Sequence, residues 1–95
     1  MPLQVELVGA DSRVWSGTAS MVVARSVDGE IGVLSGHAPL LAVLAPGEVR
    51  ITAADGSTVM AETDGGFLSV EHDRVTVVSD TAALVTGSAT RSAAV

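Results

Sequence analysis

Apolar and polar residues alternate along most of the chain with a period of two, which is typical of half-buried β-strands. Turn-forming glycine, proline and aspartate residues separate the alternating segments. The turn signals recur roughly every 8–12 residues, and no helical segment of ten or more residues is present before residue 80. This pattern predicts an all-β sandwich or barrel. The predicted strands cover residues 3–7, 18–25, 30–34, 48–53, 59–63, 67–71 and 75–79.

The hairpin between the fourth and fifth of these segments admits two registers. A two-residue turn would place Glu62 opposite Val49, and so would set a carboxylate on the core face. A three-residue loop over 54–56 instead places Ile51 opposite Val59, with a glycine at the left-handed position that such a loop requires. We therefore expect the three-residue loop.

The composition of the 95-residue chain excludes several functional classes. Its 5 basic and 11 acidic residues give a net charge of −6, which opposes binding to nucleic acid phosphates. The absence of lysine and cysteine excludes Schiff-base chemistry, disulfides and zinc–thiolate sites. The longest stretch without polar side chains, 38–47, is interrupted by two prolines, so no segment supplies the roughly 20 apolar residues of a membrane-spanning helix.

No constellation of residues predicts catalysis, a metal or a cofactor. His72 lies between Glu71 and Asp73, but neighbours on a strand point to opposite faces, and the segment reads as a solvated turn. The segment 32–37 contains Ser35 but lacks the Gly-x-Ser-x-Gly spacing and the following helix of a nucleophile elbow. Two pairs of carboxylates, Glu62 with Asp64 and Asp28 with Glu30, are typical of the solvated face of an acidic β-domain.

The segment 28–41, Asp-Gly-Glu-Ile-Gly-Val-Leu-Ser-Gly-His-Ala-Pro-Leu-Leu, is richer in glycine and more apolar than an ordinary loop. Physically it predicts a tight turn, a short strand and a crossover made rigid by proline. It also resembles the epsilon subunit of the rotary F-type ATP synthase, called delta in mitochondria. The opening strand, Val-Trp-Ser-Gly at 14–17, Gly-Gly-Phe-Leu-Ser-Val at 65–70 and Val-Thr-Val at 75–77 follow in the family's order, so the resemblance covers about residues 3–84.

The resemblance implies a flattened ten-stranded β-sandwich of two sheets over residues 1–84. The lack of periodicity and of bulky side chains from Thr86 onward predicts a short disordered tail over 85–95. It also implies a non-catalytic rotor subunit in the central stalk, at the cytoplasmic face of the cell membrane. Such a subunit links the c-subunit ring, which proton flow turns, to the gamma subunit during ATP synthesis. The chain would be a structural part of an enzyme complex and would carry no cofactor.

The resemblance places two sets of contact residues on this sequence. The positions of the ring-contacting loop are Val27, Asp28, Gly29 and Glu30. Glu30 is the best candidate for a polar contact to the ring. The positions expected to face gamma, with their apolar neighbours, are Gly9, His37, Leu41, Ala42 and Val43. For His37 the residues also allow a role in bracing its own Pro39 turn through a backbone hydrogen bond.

The end of the chain departs from the family, which commonly continues into a helical hairpin that senses ATP in some bacteria and can inhibit hydrolysis. Residues 86–95, Thr-Gly-Ser-Ala-Thr-Arg-Ser-Ala-Ala-Val, lack that helix start, so neither role is expected, and the departure favours a naturally short chain over a truncated one.

A freestanding β-sandwich module that binds a small molecule or glycan is the alternative function, and an enzyme is the third. A binding module should offer a pocket with aromatic and convergent polar groups. A stalk subunit should instead expose an apolar sheet face, with contributors in the first strand and in residues 40–43.

Overall fold

The computed structural model describes residues 2–10 and 13–86, and every regular element in them is a β-strand. The prediction of an all-β chain is confirmed. In the described part of the chain, no helix is long and apolar enough to cross a membrane. The strands are β1 (Leu3–Val8), β2 (Arg13–Ser26), β3 (Gly29–Leu34), β4 (Leu40–Ala53), β5 (Thr58–Glu71), β6 (Arg74–Val78) and β7 (Ala83–Thr86).

The strands form one sheet that closes on itself. Its order is β1-β6-β5-β4-β2-β3, with β7 paired to β5 and β1 paired to β2 as well as to β6. The β1–β6 pair is parallel, and all other pairs are antiparallel. Closure gives β1, β2, β4, β5 and β6 a hydrogen-bonded neighbour on both sides and so removes most of the exposed strand edges.

The described residues contain seven strands rather than the expected ten, because β2, β4 and β5 each run for 14 residues. Gly65 and Gly66 were expected between strands but lie within β5. Their φ values are 106° and 119°, and the pairing with β4 continues on both sides of them. In β4, residues 45–48 lie opposite the single residue Arg25 of β2, so the β2–β4 pairing is interrupted by a bulge of several residues around Pro46. Proline is tolerated in a strand at such a bulge, where no ladder donor is needed.

The predicted tail over 85–95 begins within strand β7, which continues to Thr86. From residue 87 onward the predicted tail lies outside the described residues.

The core consists of aliphatic side chains that alternate with outward residues along each strand. In β1, Leu3, Val5 and Leu7 are at most 1% exposed, and they face the same interior as the fully buried Val75 and Val77 of β6. The tryptophan packs partly buried against the edge of this core, and the phenylalanine lies on the surface. An aliphatic core agrees with a composition that has only 2% aromatic residues.

The β4–β5 hairpin has the predicted register, with Ile51 opposite Val59 and a three-residue loop over 54–56. The glycine of this loop has a φ of 94°, as expected. Glu62 lies opposite Glu48, and both side chains are exposed, so the register keeps two carboxylates in water. Asp55 braces the loop by accepting hydrogen bonds from the hydroxyl and the backbone N–H of Ser57, at 2.6 and 2.9 Å.

These two hydrogen bonds, the hydroxyl bond first, lower the pKa of Asp55 below its ordinary value. A lowered pKa stabilises the folded chain above the ordinary carboxyl pKa, and this contribution disappears as the pH falls through the lowered pKa. We expect Ser57→Ala to return the pKa of Asp55 toward its ordinary value and to shrink this acid-side pH dependence. NMR titration of the carboxyl would measure the change, with Ser16→Ala as the control. An unchanged titration in Ser57→Ala would contradict the assignment.

Gly66 lies where β5 approaches β6 too closely for any side chain. A Cβ atom there would overlap the carbonyl oxygen of Val78, and the positive φ adds strain. We expect Gly66→Ala to lower the free energy of unfolding by about 3 kcal/mol, because the two strands must separate. Gly32→Ala, on β3, places its Cβ in open space and should change stability by about 0.5 kcal/mol or less. Chemical denaturation of both variants tests this, and equal losses would contradict it.

Candidate protein-interaction surface

A row of outward-facing apolar side chains crosses four strands of the closed sheet. Val43 of β4 lies opposite Phe67 of β5, Phe67 lies opposite Val78 of β6, and Val8 of β1 lies beside Val78. Directly opposed residues project their side chains from the same face of a sheet. Val43, Phe67 and Val78 are 50%, 52% and 44% exposed, and Val8 is partly buried. The four residues therefore form one continuous apolar strip.

Two more exposed side chains adjoin this strip. The backbone N–H of Val27 donates to the carbonyl oxygen of Val43 at 3.0 Å, which sets the 63% exposed Val27 beside it. Leu41 is 71% exposed and lies two residues before Val43, on the same face of β4. The five residues that we call the apolar face are Val8, Leu41, Val43, Phe67 and Val78, and Val27 lies at its border.

The expected exposed apolar face is present, since its contributors include Val8 of the first strand together with Leu41 and Val43. Contiguous exposed apolar surface of this kind is typical of interaction sites. Sequence reasoning did not place Phe67 and Val78 on this face. Their apolar character on the outward phase of the alternation is the signal that could have found them.

The structure separates the residues predicted to face gamma. Leu41 and Val43 lie on the apolar face, but Ala42 lies opposite the buried Leu68 and so points to the other side of β4. Gly9 directly follows Val8 at the border of the apolar face.

His37 lies in the loop between β3 and β4, and its contacts there are local. Its backbone N–H donates to the carbonyl oxygen of Leu34 at 3.1 Å, and its ring Nδ1 is 2.7 Å from the carbonyl oxygen of Ala38. Because a carbonyl oxygen can only accept, Nδ1 carries the proton of this bond, and Nε2 remains as the other polar atom of the ring. His37 therefore does brace the turn before Pro39, as one of its two expected roles requires.

The predicted ring-contacting residues form a single projecting turn. Val27 and Asp28 connect β2 to β3, Gly29 and Glu30 begin β3, and all four are exposed. The buried Ser26 braces the turn, since its hydroxyl donates to the carbonyl oxygen of Gly29 at 2.7 Å and accepts the N–H of Asp28 at 3.1 Å. This turn adjoins the apolar face through the Val27–Val43 hydrogen bond.

The described depression that includes an aromatic residue offers little for a small-molecule site. Its volume is about 300 Å³, and its apolar lining includes Trp15 and Leu84. Its polar groups include Asp55 and Ser57, which already satisfy each other. Among the described residues, no group of three or more potential ligand side chains could hold a metal ion.

Comparison with known proteins gives a consistent result. The family described as "ATP synthase, Delta/Epsilon chain, beta-sandwich domain" matches residues 2–85. An ATP synthase epsilon chain of Micrococcus luteus is 54% identical over 82 residues, covering 86% of this chain and 90% of the relative. One from Frankia casuarinae is 49% identical over 84 residues, covering 88% of this chain and 99% of the relative.

The fold also matches one chain of a solved assembly. A chain in the cryo-EM structure of the Euglena gracilis mitochondrial ATP synthase OSCP/F1/c-ring superposes with a TM-score of 0.82 at 25% identity. The superposition covers 87% of this chain and 53% of that one, so this chain spans about half its length. The resemblance inferred from the ordered motifs is thereby confirmed: the chain belongs to the ATP synthase delta/epsilon family and contains its β-sandwich domain.

Proposed function

We propose that the chain is a non-catalytic central-stalk subunit of a proton-translocating ATP synthase, and that it couples the c-subunit ring to the gamma subunit. Support comes from relatives named ATP synthase epsilon chain and from a fold neighbour in an assembly that contains F1 and a c-ring. As such a subunit it would lie at the cytoplasmic face of the cell membrane. The observation that carries the proposal is the apolar face, which adjoins an exposed polar turn.

The apolar face is the surface that we assign to gamma. Long-lived subunit contacts have an apolar centre that resembles a domain core cut in half, and exposed aliphatic side chains across four strands supply such a centre. Phe67 lies within the row, and aromatic residues are enriched at the centre of interfaces. Gly9 borders this face, while Leu41 and Val43 belong to it.

The Val27–Glu30 turn is the part that we assign to the ring. It is exposed, polar at its tip and stiffened by Ser26. The Val27–Val43 hydrogen bond makes the turn and the apolar face neighbours on one rigid sheet. A load applied at the turn would therefore reach the gamma contact through paired strands rather than through a flexible loop.

We also propose that the closed sheet acts as a sandwich of two five-stranded layers. If β2, β4 and β5 each contribute one half to each layer, the seven strands count as ten. The pairings support this division. The first halves of β2 and β4 and the second half of β5 lie with β1 and β6, and the remaining halves lie with β3 and β7. The apolar face then belongs to the layer that contains β1.

Phe67→Asp tests the gamma contact. A carboxylate at the centre of an apolar interface loses its water without gaining a partner, so we expect the Kd for purified gamma to rise by about 30-fold, or 2 kcal/mol. Val85→Asp is the control, because Val85 is similarly exposed, at 54%, but lies on β7, which pairs with residues 60–62 of β5 and not with the segment that carries Phe67. Calorimetric titration with gamma measures both variants. Equal effects, or none for Phe67→Asp, would contradict the assignment.

Glu30→Arg tests the ring contact. A charge reversal on an exposed side chain should change folding stability by about 0.5 kcal/mol or less. At a polar subunit contact it replaces attraction by repulsion, so proton pumping by the assembled enzyme should fall. Glu62→Arg, an equal charge change on β5, is the control for both measurements. A large loss of thermal stability with unchanged pumping would reverse this assignment.

A further inference from the structure

The turn between β5 and β6 has two successive non-glycine residues at positive φ. Glu71 lies opposite Arg74, so His72 and Asp73 form a two-residue turn, with φ values of 51° and 60°. Two-residue turns of this kind favour glycine most, because it adopts positive φ without steric cost, whereas aspartate and histidine adopt it at a smaller cost than most other residues. Strain that persists in a folded chain is a reason to look for what the side chain does.

Asp73 joins three parts of the chain. Its carboxylate Oδ1 accepts the backbone N–H of Gly36 at 2.7 Å, across 37 residues of sequence. Its carbonyl oxygen accepts the N–H of Gln4, at the start of β1, at 2.8 Å. Hydrogen bonds to an ionised acceptor are shorter and stronger than neutral ones, and the bond to Gly36 has the length of such a bond.

The loop that Asp73 holds is the one that presents His37. The other hydrogen bonds of this loop, which His37 makes to Leu34 and Ala38, remain within the loop and the strand before it. In the described part of the chain, the Asp73 carboxylate is the side chain that ties residues 35–39 to a distant strand pair. Gly36 has a φ of 85°, and a Cβ added to it would meet no atom within 4 Å, so no side chain packs over it on that side.

We propose that Asp73 is a positioning residue for the gamma contact, and that its carboxylate fixes the Gly36 backbone so that His37 meets gamma in one orientation. This inference rests on the proposed function and on the gamma contact that the family resemblance implies for His37. It explains why a carboxylate occupies a turn position that glycine would fill with less strain. The cost of positive φ at Asp73 is accepted in return for a hydrogen bond that links two loops.

Two substitutions separate the carboxylate from the turn. Asp73→Asn keeps an oxygen acceptor and tolerates positive φ, whereas Asp73→Gly suits the turn better but removes the acceptor. We expect Asp73→Gly to fold with an unfolding midpoint at or above that of the wild type. Its Gly36 amide should exchange about tenfold faster, and its Kd for purified gamma should rise about fivefold. Asp73→Asn should restore both quantities to within about threefold of the wild type.

A double-variant cycle with His37→Ala tests whether Asp73 acts through His37. If it does, adding Asp73→Gly to His37→Ala should cause no further loss of gamma affinity, because the positioned side chain is already gone. A purely structural role would lower the unfolding midpoint and would add its effect to that of His37→Ala.

Three results would overturn the inference: unchanged Gly36 exchange in Asp73→Gly, faster exchange with unchanged gamma affinity, or additive effects in the cycle. Failure of the proposed function is recognised separately. In that case Phe67→Asp leaves gamma binding intact, while amide exchange at Gly36 still reports whether the carboxylate holds the loop.

Discussion

Strand β1 is hydrogen-bonded along both of its edges, and the rest of the domain depends on that double pairing. It runs antiparallel to β2 and parallel to β6, so it closes a sheet that would otherwise end in two open edges. Its three inward side chains are among the most deeply buried in the core. A parallel pair cannot be made by a hairpin, and here it joins residues 4–8 to residues 74–78. Closure is therefore a long-range event that requires most of the chain to be in place, as expected for a fold dominated by non-local contacts.

Closure also explains how a small domain can keep an apolar surface and still have a single interior. The inward neighbours of the apolar face, among them Leu44, Leu68 and Val77, fill the core. The outward positions on the same strands are then free to be apolar without competing for the interior. A strand that is apolar on both sides is normally covered on both sides. The proposed gamma contact would provide that second cover, which links the sequence pattern of β4, β5 and β6 to assembly.

Two backbone features organise β6 at its opposite ends. Near its end, Gly66 allows β5 to approach Val78 without a steric barrier, and this close approach sets Phe67 and Val78 side by side in the apolar face. Just before β6 begins, the His72–Asp73 turn has positive φ at both residues and places the Asp73 carboxylate within hydrogen-bond distance of the Gly36 N–H. One strand thus supports both the apolar face and the loop that presents His37. Gly66 allows the backbones of β5 and β6 to come close, and the Asp73 carboxylate holds the distant loop at Gly36.

The sequence by itself determined the features that local chemistry decides. Period-two alternation specified an all-β chain, the cost of burying Glu62 selected the β4–β5 register, and the order of motifs identified the family. Only the tertiary structure decided which strands run on without interruption, because positive φ at Gly65 and Gly66 preserves pairing where glycines usually signal a turn. Membership of the apolar face depends on which strands become neighbours, and the Asp73–Gly36 hydrogen bond spans 37 residues. Neither is visible in a local pattern, because long-range pairing is set by the closure of the whole sheet.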